Sequence, residues 1–180
     1  RRARTPRQHR RLTMRNLTLL LALAATLALS ACGFQLRGSR APVLLPFATL
    51  YIALPSSSEL HAALKRGVEA SGKTRVIEDP KSAQVALTLT GDTQAKNVLS
   101  LDTSGRVREF QLRYRFAFRV HDAKGRDIVP LSEIVLTREI SFSDAQLLAK
   151  EQEEILLFRD MQNDLVQQLM RRLAAAKIPG

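Results

Sequence analysis

The sequence predicts an α+β fold, a two-layer sandwich in which two helices pack on one face of a mostly antiparallel, four-stranded sheet. Three features predict it: a short apolar run followed by an amphipathic helix, then strands with alternating polarity, then a long stretch without Gly or Pro. Such an order of elements buries one face of a sheet under one layer of helices. Residues 47–180 have the size of a single domain.

The first strand and the first helix are predicted between residues 47 and 72. The run 47–54 is rich in β-forming residues and stops at Pro55, which is typical of a strand. The serines at 56–58 can cap a helix that ends at Gly72. One face of this helix carries Leu60, Leu64 and Val68, which recur at four-residue spacing.

The clearest strand lies between residues 110 and 120, where apolar and polar residues alternate. Its apolar face consists of Phe110, Leu112, Tyr114, Phe116, Phe118 and Val120. Its other face consists of Gln111, Arg113, Arg115, Ala117 and Arg119. Because a strand has a period of two, one face is expected to be core and the other wet and cationic.

This strand has a predicted neighbour on each side in the sequence. Turn residues at 102–105 join it to an earlier strand that begins at Gln84, and turn residues at 122–125 join it to a later one,. The apolar face of the later strand consists of Ile134, Leu136, Ile140 and Phe142. Arg138 shares the parity of these residues, which indicates a bulge or the end of the sheet.

A long C-terminal helix is predicted from residue 144 to about residue 177. Ser143 and Gln146 fit a capping box at its start. Its apolar stripe consists of Ile155, Phe158, Met161, Leu165, Leu169 and Leu173. The stripe is expected to pack across the sheet.

The N-terminal region has the pattern of an export signal with a lipid-attachment site. Arg15 precedes an apolar run, residues 17–29, and small residues stand directly before Cys32, the single cysteine,. The run is shorter than the roughly 20 residues that cross a bilayer, so we expect it to be removed. Residues 29–32 resemble a lipobox, which implies S-diacylglycerol and N-acyl groups on Cys32.

The predicted organisation has four parts. Residues 1–13 form a basic extension, disordered or upstream of the true start; residues 14–31 form the signal peptide; residues 32–46 form a lipidated tether; and residues 47–180 form the domain. The net charge of +11 is partly due to the leader, because residues 1–31 hold 7 of the 28 basic residues and none of the 17 acidic ones. The remaining net charge is +4, which does not favour nucleic acid as a partner.

The sequence after the lipobox resembles one family specifically. The run Gly33-Phe34-Gln35-Leu36-Arg37-Gly38 after the cysteine is similar to the start of mature LptE-family lipoproteins, which typically begin Cys-Gly-Phe-x-Leu-Arg-Gly. Residues 108–112, the hairpins and the acidic-then-basic C-terminal helix resemble further landmarks of the family. The basic extension before Met14 departs from the family pattern.

The resemblance implies a non-enzymatic protein held by its lipid on the periplasmic side of the outer membrane. It implies a role inside the β-barrel of LptD, as plug and assembly partner, and binding of lipopolysaccharide during its delivery to the cell surface. The alternative is a generic cell-envelope lipoprotein, a ligand carrier or scaffold without an LptD partner.

The residues predicted to bind lipopolysaccharide are basic, because lipopolysaccharide carries phosphates and Arg binds phosphate through a planar fork of donors. The candidates are Arg106, Arg108, Arg113, Arg115, Arg119 and, on weaker grounds, Lys96. The open alternatives are ordinary solvated charges on an exposed sheet face and partners for polar groups of a barrel wall.

Catalysis and metal binding are not predicted. Of the three histidines, His9 lies in the extension, and neither His61 nor His121 stands in a nucleophile or metal-ligand spacing,. The sequence contains no HExxH, GxSxG or glycine-rich phosphate loop. We therefore expect no catalytic residue, no metal and no cofactor other than the covalent lipid.

Overall fold

The computed structural model describes residues 43–178. The basic extension, the signal peptide, Cys32 and most of the predicted tether lie outside the described residues. The elements, in order, are β1 (Thr49–Ala53), α1 (Glu59–Glu69), β2 (Arg75–Ile77), β3 (Val85–Leu101), β4 (Val107–Asp122), β5 (Asp127–Ser141), a 3-10 turn (Asp144–Gln146) and α2 (Leu147–Ala174). Within the described range no helix is long and apolar enough to cross a membrane.

The sheet has five strands in the order β2-β1-β3-β4-β5. The α+β class and the two helices are confirmed, but the predicted four-stranded, mostly antiparallel sheet is wrong. β1 is parallel to both β2 and β3, and only the β3–β4 and β4–β5 pairs are antiparallel. The missed strand, β2, has three residues, which is too short for a periodic pattern to indicate it.

One hydrophobic core joins the helices to the sheet. The predicted inward residues of β4 from Leu112 to Val120 are buried, as are the predicted α1 residues, while Phe110 at the end of the sheet is partly buried. The core side of α2 consists of Met161, Leu165, Val166, Leu169, Met170 and Leu173. The prediction that Ile155 belongs to the packed stripe is wrong, because its side chain is exposed. Leu45 and Phe47, before β1, also belong to the core.

A bulge interrupts β3 and changes which residues face the helices. The register with β4 shifts between Leu89 and Gly91, and a shift of one residue reverses the face of every later side chain. Beyond the bulge, Asp92 and Gln94 lie on the helix side, where both hydrogen-bond with the Tyr114 hydroxyl. Burial raises the pKa of Tyr114, and the nearby Asp92 carboxylate raises it further.

Two local expectations, one for β5 and one for the residue before the 3-10 turn, are wrong. Arg138 marks neither a bulge nor the end of β5, since its pairing with Leu112 is regular; its guanidinium instead forms an ion pair with Asp164 of α2. The Ser143 side chain makes no capping hydrogen bond. Its carbonyl accepts from the Gln146 N–H at 3.0 Å, which closes the 3-10 turn that precedes α2.

The two hairpin turns are built in the same way. In each, an Asp side chain accepts hydrogen bonds from backbone N–H groups two and four residues later and from the Arg at the fourth position: Asp102 with Arg106, and Asp122 with Arg126. Each turn has a glycine with φ of +80° at its fourth residue, a conformation that other residues rarely adopt.

Candidate functional site

The outer face of the sheet carries the predicted arginines, but the neighbouring strand neutralises two of them. Arg115 forms an ion pair with Glu133 of β5. Arg119 Nη2 lies 2.8 Å from Oδ1 of Asp127, which is also in β5. Opposite charges on adjacent strands stabilise each other modestly. The cationic face predicted from β4 alone is therefore largely a face of paired charges.

Arg113 is the exception on this face. It has no ion-pair partner within residues 43–178, and it lines a groove of about 460 Å³ together with Thr93, Asn97 and Val135. The groove floor is the sheet itself, and its remaining lining includes the Arg115–Glu133 pair. This groove can accept an acidic or hydroxyl-bearing group, with one unpaired guanidinium available to it.

Arg106 and Arg108 lie at the end of the sheet that carries the β3–β4 turn. Arg106 Nη2 is 2.9 Å from Asp102 Oδ2, but 72% of its side chain remains exposed. Arg108 is exposed and has no ion-pair partner in the described part of the chain. Hydrogen bonds to Asp102, from the backbone N–H of Arg106 above all, lower the pKa of Asp102, so this turn holds a fixed negative charge beside the Arg106 guanidinium.

Lys96 does not lie on the arginine face. Because of the bulge in β3 it is on the helix side, where its ammonium is 2.5 Å from Glu154 Oε2 of α2. The same ammonium lies over the Phe110 ring, 4.4 Å from the ring centroid. Lys96 is therefore on the opposite face of the sheet from Arg113, Arg115 and Arg119, although it lies toward the same end of the sheet as Arg108.

A second lysine at this end, Lys150, is not predicted from the sequence. Its ammonium donates to Ser141 Oγ at 2.9 Å and contacts Glu153 at 2.8 Å. It lines the same small cleft as Lys96 and Phe142. The only sequence signal was its place at the start of the C-terminal helix, and that does not reveal that the helix begins beside the β3–β4 hairpin.

Exposed apolar side chains occur on the two segments that carry or adjoin these cations, the β3–β4 hairpin and the start of α2. They are Val98, Leu99 and Leu101 on the hairpin and Leu147 and Leu148 at the start of α2. We call these five residues together with Arg106 and Arg108 the tip surface. A surface that presents guanidinium groups beside uncovered aliphatic groups is suited to an amphiphile with an anionic head.

The two histidines in the described range, His61 and His121, make hydrogen bonds within the fold. His121 Nε2 is 3.1 Å from Thr88 Oγ1, and its Nδ1 is 3.0 Å from the Asp122 carbonyl oxygen. The backbone N–H of His61 donates to the Ser58 side chain that caps α1. Among residues 43–178, no group of three or more His, Cys, Asp or Glu side chains is arranged to hold a metal ion.

Comparison with known proteins identifies relatives that all belong to one family. The LptE family, described as lipopolysaccharide-assembly, matches residues 47–173. The LPS-assembly lipoprotein LptE of Yersinia enterocolitica serotype O:8 / biotype 1B is 31% identical over 163 residues, covering 88% of this chain and 75% of that protein. The corresponding protein of Pectobacterium atrosepticum is 27% identical, covering 87% and 83%.

Solved structures agree. Lipoprotein B from Nitrosomonas europaea, solved by NMR in solution, is 40% identical with a TM-score of 0.68, covering 79% of this chain and 91% of that one. The crystal structure of rare lipoprotein B from Shewanella oneidensis has a TM-score of 0.62 at 20% identity, covering 71% and 94%, and supports the fold alone. The chain therefore belongs to the LptE family of lipopolysaccharide-assembly lipoproteins.

Proposed function

We propose that this protein is an outer-membrane lipoprotein that plugs and helps assemble an LptD-like β-barrel and binds lipopolysaccharide at its tip surface. The observation that carries the binding site is that Arg106 and Arg108 stand on either side of Val107, which pairs with the exposed Leu101 across the β3–β4 hairpin. Lipopolysaccharide presents the matching chemistry, phosphates on sugars next to acyl chains.

The surroundings of each predicted cation suggest an order of importance. Arg108 has no neutralising partner in the described range, and Arg106 is held by one carboxylate but is mostly exposed, so both can fork onto a phosphate at little cost. Arg113 is a second contact, on the outer face. Arg115 and Arg119 are bound to β5 carboxylates, and Lys96 to Glu154, so we expect them to contribute less.

The aliphatic part of the tip surface supports the same ligand. Exposed leucines and valines cost free energy in water, roughly 25 cal/mol for each Å² of apolar surface. An acyl chain that covers the exposed aliphatic side chains of the hairpin removes this surface from water while the arginines hold the phosphate. A free sugar phosphate would use only the arginines and is expected to bind more weakly.

Anchoring and the barrel partner complete the proposal. We propose that Cys32 carries the lipid and holds the protein at the periplasmic side of the outer membrane. Two or three acyl chains anchor a protein almost permanently, because each buried methylene contributes about 0.8 kcal/mol. The protein is proposed to act without catalysis, by binding and positioning.

The test is a detergent pulldown of the full-length tagged protein from its own outer membrane, with mass identification of the proteins and glycolipids that accompany it. Recovery of a stoichiometric barrel with bound lipopolysaccharide is the expected result. Recovery of the lipoprotein alone would overturn the barrel partnership and favour a generic envelope carrier or scaffold.

A further inference from the structure

A recess lies where the parallel strands β1 and β2 end, beside the first two turns of α1. The three elements form a β-α-β unit, because β1 and β2 pair in parallel and α1 connects them. Residues that end each strand or directly follow it line the recess. In open α/β sheets, ligands bind in the crevice outside the carboxyl ends of the strands. The recess therefore has the position of a ligand site.

The size and the apolar wall of the recess fit a small ligand. Its volume is about 200 Å³, below the roughly 300 Å³ at which pockets for drug-sized ligands begin. The apolar wall consists of Ile52, which is buried, and Leu54, Val76 and Ile77, which are half-buried. A mostly preformed apolar wall with a few polar groups is the usual composition of such sites. The recess fits one small molecule or one unit of a larger one.

The polar side chains of the recess have no partners in the fold. They are Tyr51, Ser56, His61, Lys65 and Glu78, and none of these five side chains forms a hydrogen bond or an ion pair within residues 43–178. His61 and Lys65 are four residues apart on α1 and so share one face of the helix. Glu78 directly follows β2. A cation and a carboxylate thus line one recess without pairing with each other.

These polar groups indicate the chemistry of the ligand. The Lys65 ammonium suits an anionic group. The Glu78 carboxylate accepts hydrogen bonds, and the hydroxyls of Tyr51 and Ser56 both donate and accept them, so all three suit hydroxyl groups. A bare anion would meet the Glu78 carboxylate, whereas a neutral sugar would leave Lys65 unused. A ligand that uses the whole set carries both hydroxyls and a negative charge.

We propose that this recess binds one sugar unit that carries an anionic group. The same chemistry occurs in a free sugar acid or sugar phosphate and in a sugar unit of a glycolipid. None of the residues that line the recess belongs to the tip surface. The proposal therefore concerns a separate site, and a free sugar acid tests it without lipopolysaccharide.

A titration of the isotope-labelled full-length protein in detergent, followed by NMR of its backbone amides, tests the recess. The probes are glucuronate, glucose and acetate. Glucuronate should shift the amides of residues 51–56 and 76–78 and should bind about ten-fold more tightly than the other two, because glucose lacks the charge and acetate lacks the hydroxyls. Equal affinities for glucuronate and acetate, or unshifted amides in these two segments, would overturn the proposal.

Variants of the two charged residues assign the contacts. Lys65→Met should weaken glucuronate binding by about ten-fold, while Lys73→Met, at an exposed lysine outside the recess, should leave it unchanged. Glu78→Ala should weaken glucuronate binding but strengthen acetate binding, since it removes both an acceptor for hydroxyls and a negative charge. Equal losses in the two lysine variants, or tighter glucuronate binding in Glu78→Ala, would overturn the proposal.

Titration with purified lipopolysaccharide identifies the source of the sugar. Shifts at the same amides, with competition by glucuronate, would support the recess as a site for a glycolipid sugar. Glucuronate binding without such competition would support a free sugar as the ligand. Arg108→Glu, a change at the tip surface, should leave glucuronate binding unchanged, so a failure of the tip surface to bind lipopolysaccharide is distinguished from a failure of the recess.

Discussion

The Lys96 ammonium lies 2.5 Å from the Glu154 carboxylate and joins the far half of the β3–β4 hairpin to α2. The residues are 58 positions apart in the sequence, and only the bulge in β3 brings Lys96 to the helix side. The contact fixes the distance between the two elements that carry the tip surface, so its energy bears on how rigidly that surface is presented.

A double-mutant cycle measures this contact. We expect Lys96→Met and Glu154→Gln to couple by about 0.5–1 kcal/mol in the free energy of unfolding, a value kept low because both side chains are partly exposed. Lys96→Met should cost more than Glu154→Gln, because it also removes the cation–π contact with Phe110,. Urea unfolding of the unchanged protein, the two single variants and the double variant gives the coupling free energy. Additive losses would mean that the pair does not hold the hairpin to the helix.

Charge reversal at the tip tests the binding site. Arg108→Glu should weaken lipopolysaccharide binding by about ten-fold or more, because a charge-assisted hydrogen bond is lost and a repulsion is added. Lys124→Glu is the control, since it makes the same charge change at an exposed side chain just beyond the other end of β4. Affinity is measured by titration with purified lipopolysaccharide. Equal losses in the two variants would indicate an effect of net charge alone.

Charge reversals on the outer face of the sheet test whether its arginines also bind lipopolysaccharide. Arg113→Asp should weaken binding by a smaller factor than Arg108→Glu, and Arg115→Asp should weaken it least, because the Arg115 guanidinium already binds Glu133. Unchanged circular dichroism would show that the fold is retained. If Arg113→Asp has the largest effect, the groove on the outer face, and not the tip surface, holds the phosphate.

Substitution of Gly67 tests the contact between the helices. A Cβ at this position would make ordinary van der Waals contact with Val166 and Met170, at 3.5 Å, so Gly67→Ala should raise the free energy of unfolding by up to about 1 kcal/mol through helix propensity. Gly67→Leu should instead lower it, because a larger side chain must push α1 away from α2. Thermal unfolding separates the two results. A loss of stability in Gly67→Ala would mean that the helices cannot admit even a methyl group.

The turn aspartates should make stability fall in acid. Hydrogen bonds from Arg106 lower the pKa of Asp102; at Asp122 burial acts in the opposite direction, but hydrogen bonds from Arg126 still leave the pKa lowered. A carboxylate with a lowered pKa in the folded state stabilises the fold above its unfolded pKa, about 3.9, and this contribution is lost as the pH falls through the folded pKa. The Asp102→Asn/Asp122→Asn variant should therefore lose less stability below about pH 4.

Urea unfolding at pH 7, pH 4 and pH 3 checks this expectation. Asp160→Asn, the same change at an exposed position of α2, controls for the loss of a charge. Parallel stability curves for the double turn variant and the unchanged protein would contradict the role given to the two turns.

The sequence by itself determined the features that depend on local periodicity and turn chemistry. The alternation along β4 identified its buried face, the Asp-x-x-Gly turns located both hairpins, and the four-residue spacing of Leu60, Leu64 and Val68 identified the core side of α1. Backbone geometry fixes these periods, so neighbours in the sequence suffice to indicate them. The family resemblance also came from the sequence, on residues 33–38.

Only the tertiary structure decided which charges meet. The parallel pairing of β1, the bulge that turns Lys96 toward α2, and the carboxylates of β5 that neutralise Arg115 and Arg119 all depend on the register between strands. Since a shift of one residue moves a side chain to the opposite face, the pattern of one strand cannot reveal its partners across the sheet. Lys150 reaches the hairpin end for the same reason, because the packing of α2 determines where that helix begins relative to the sheet.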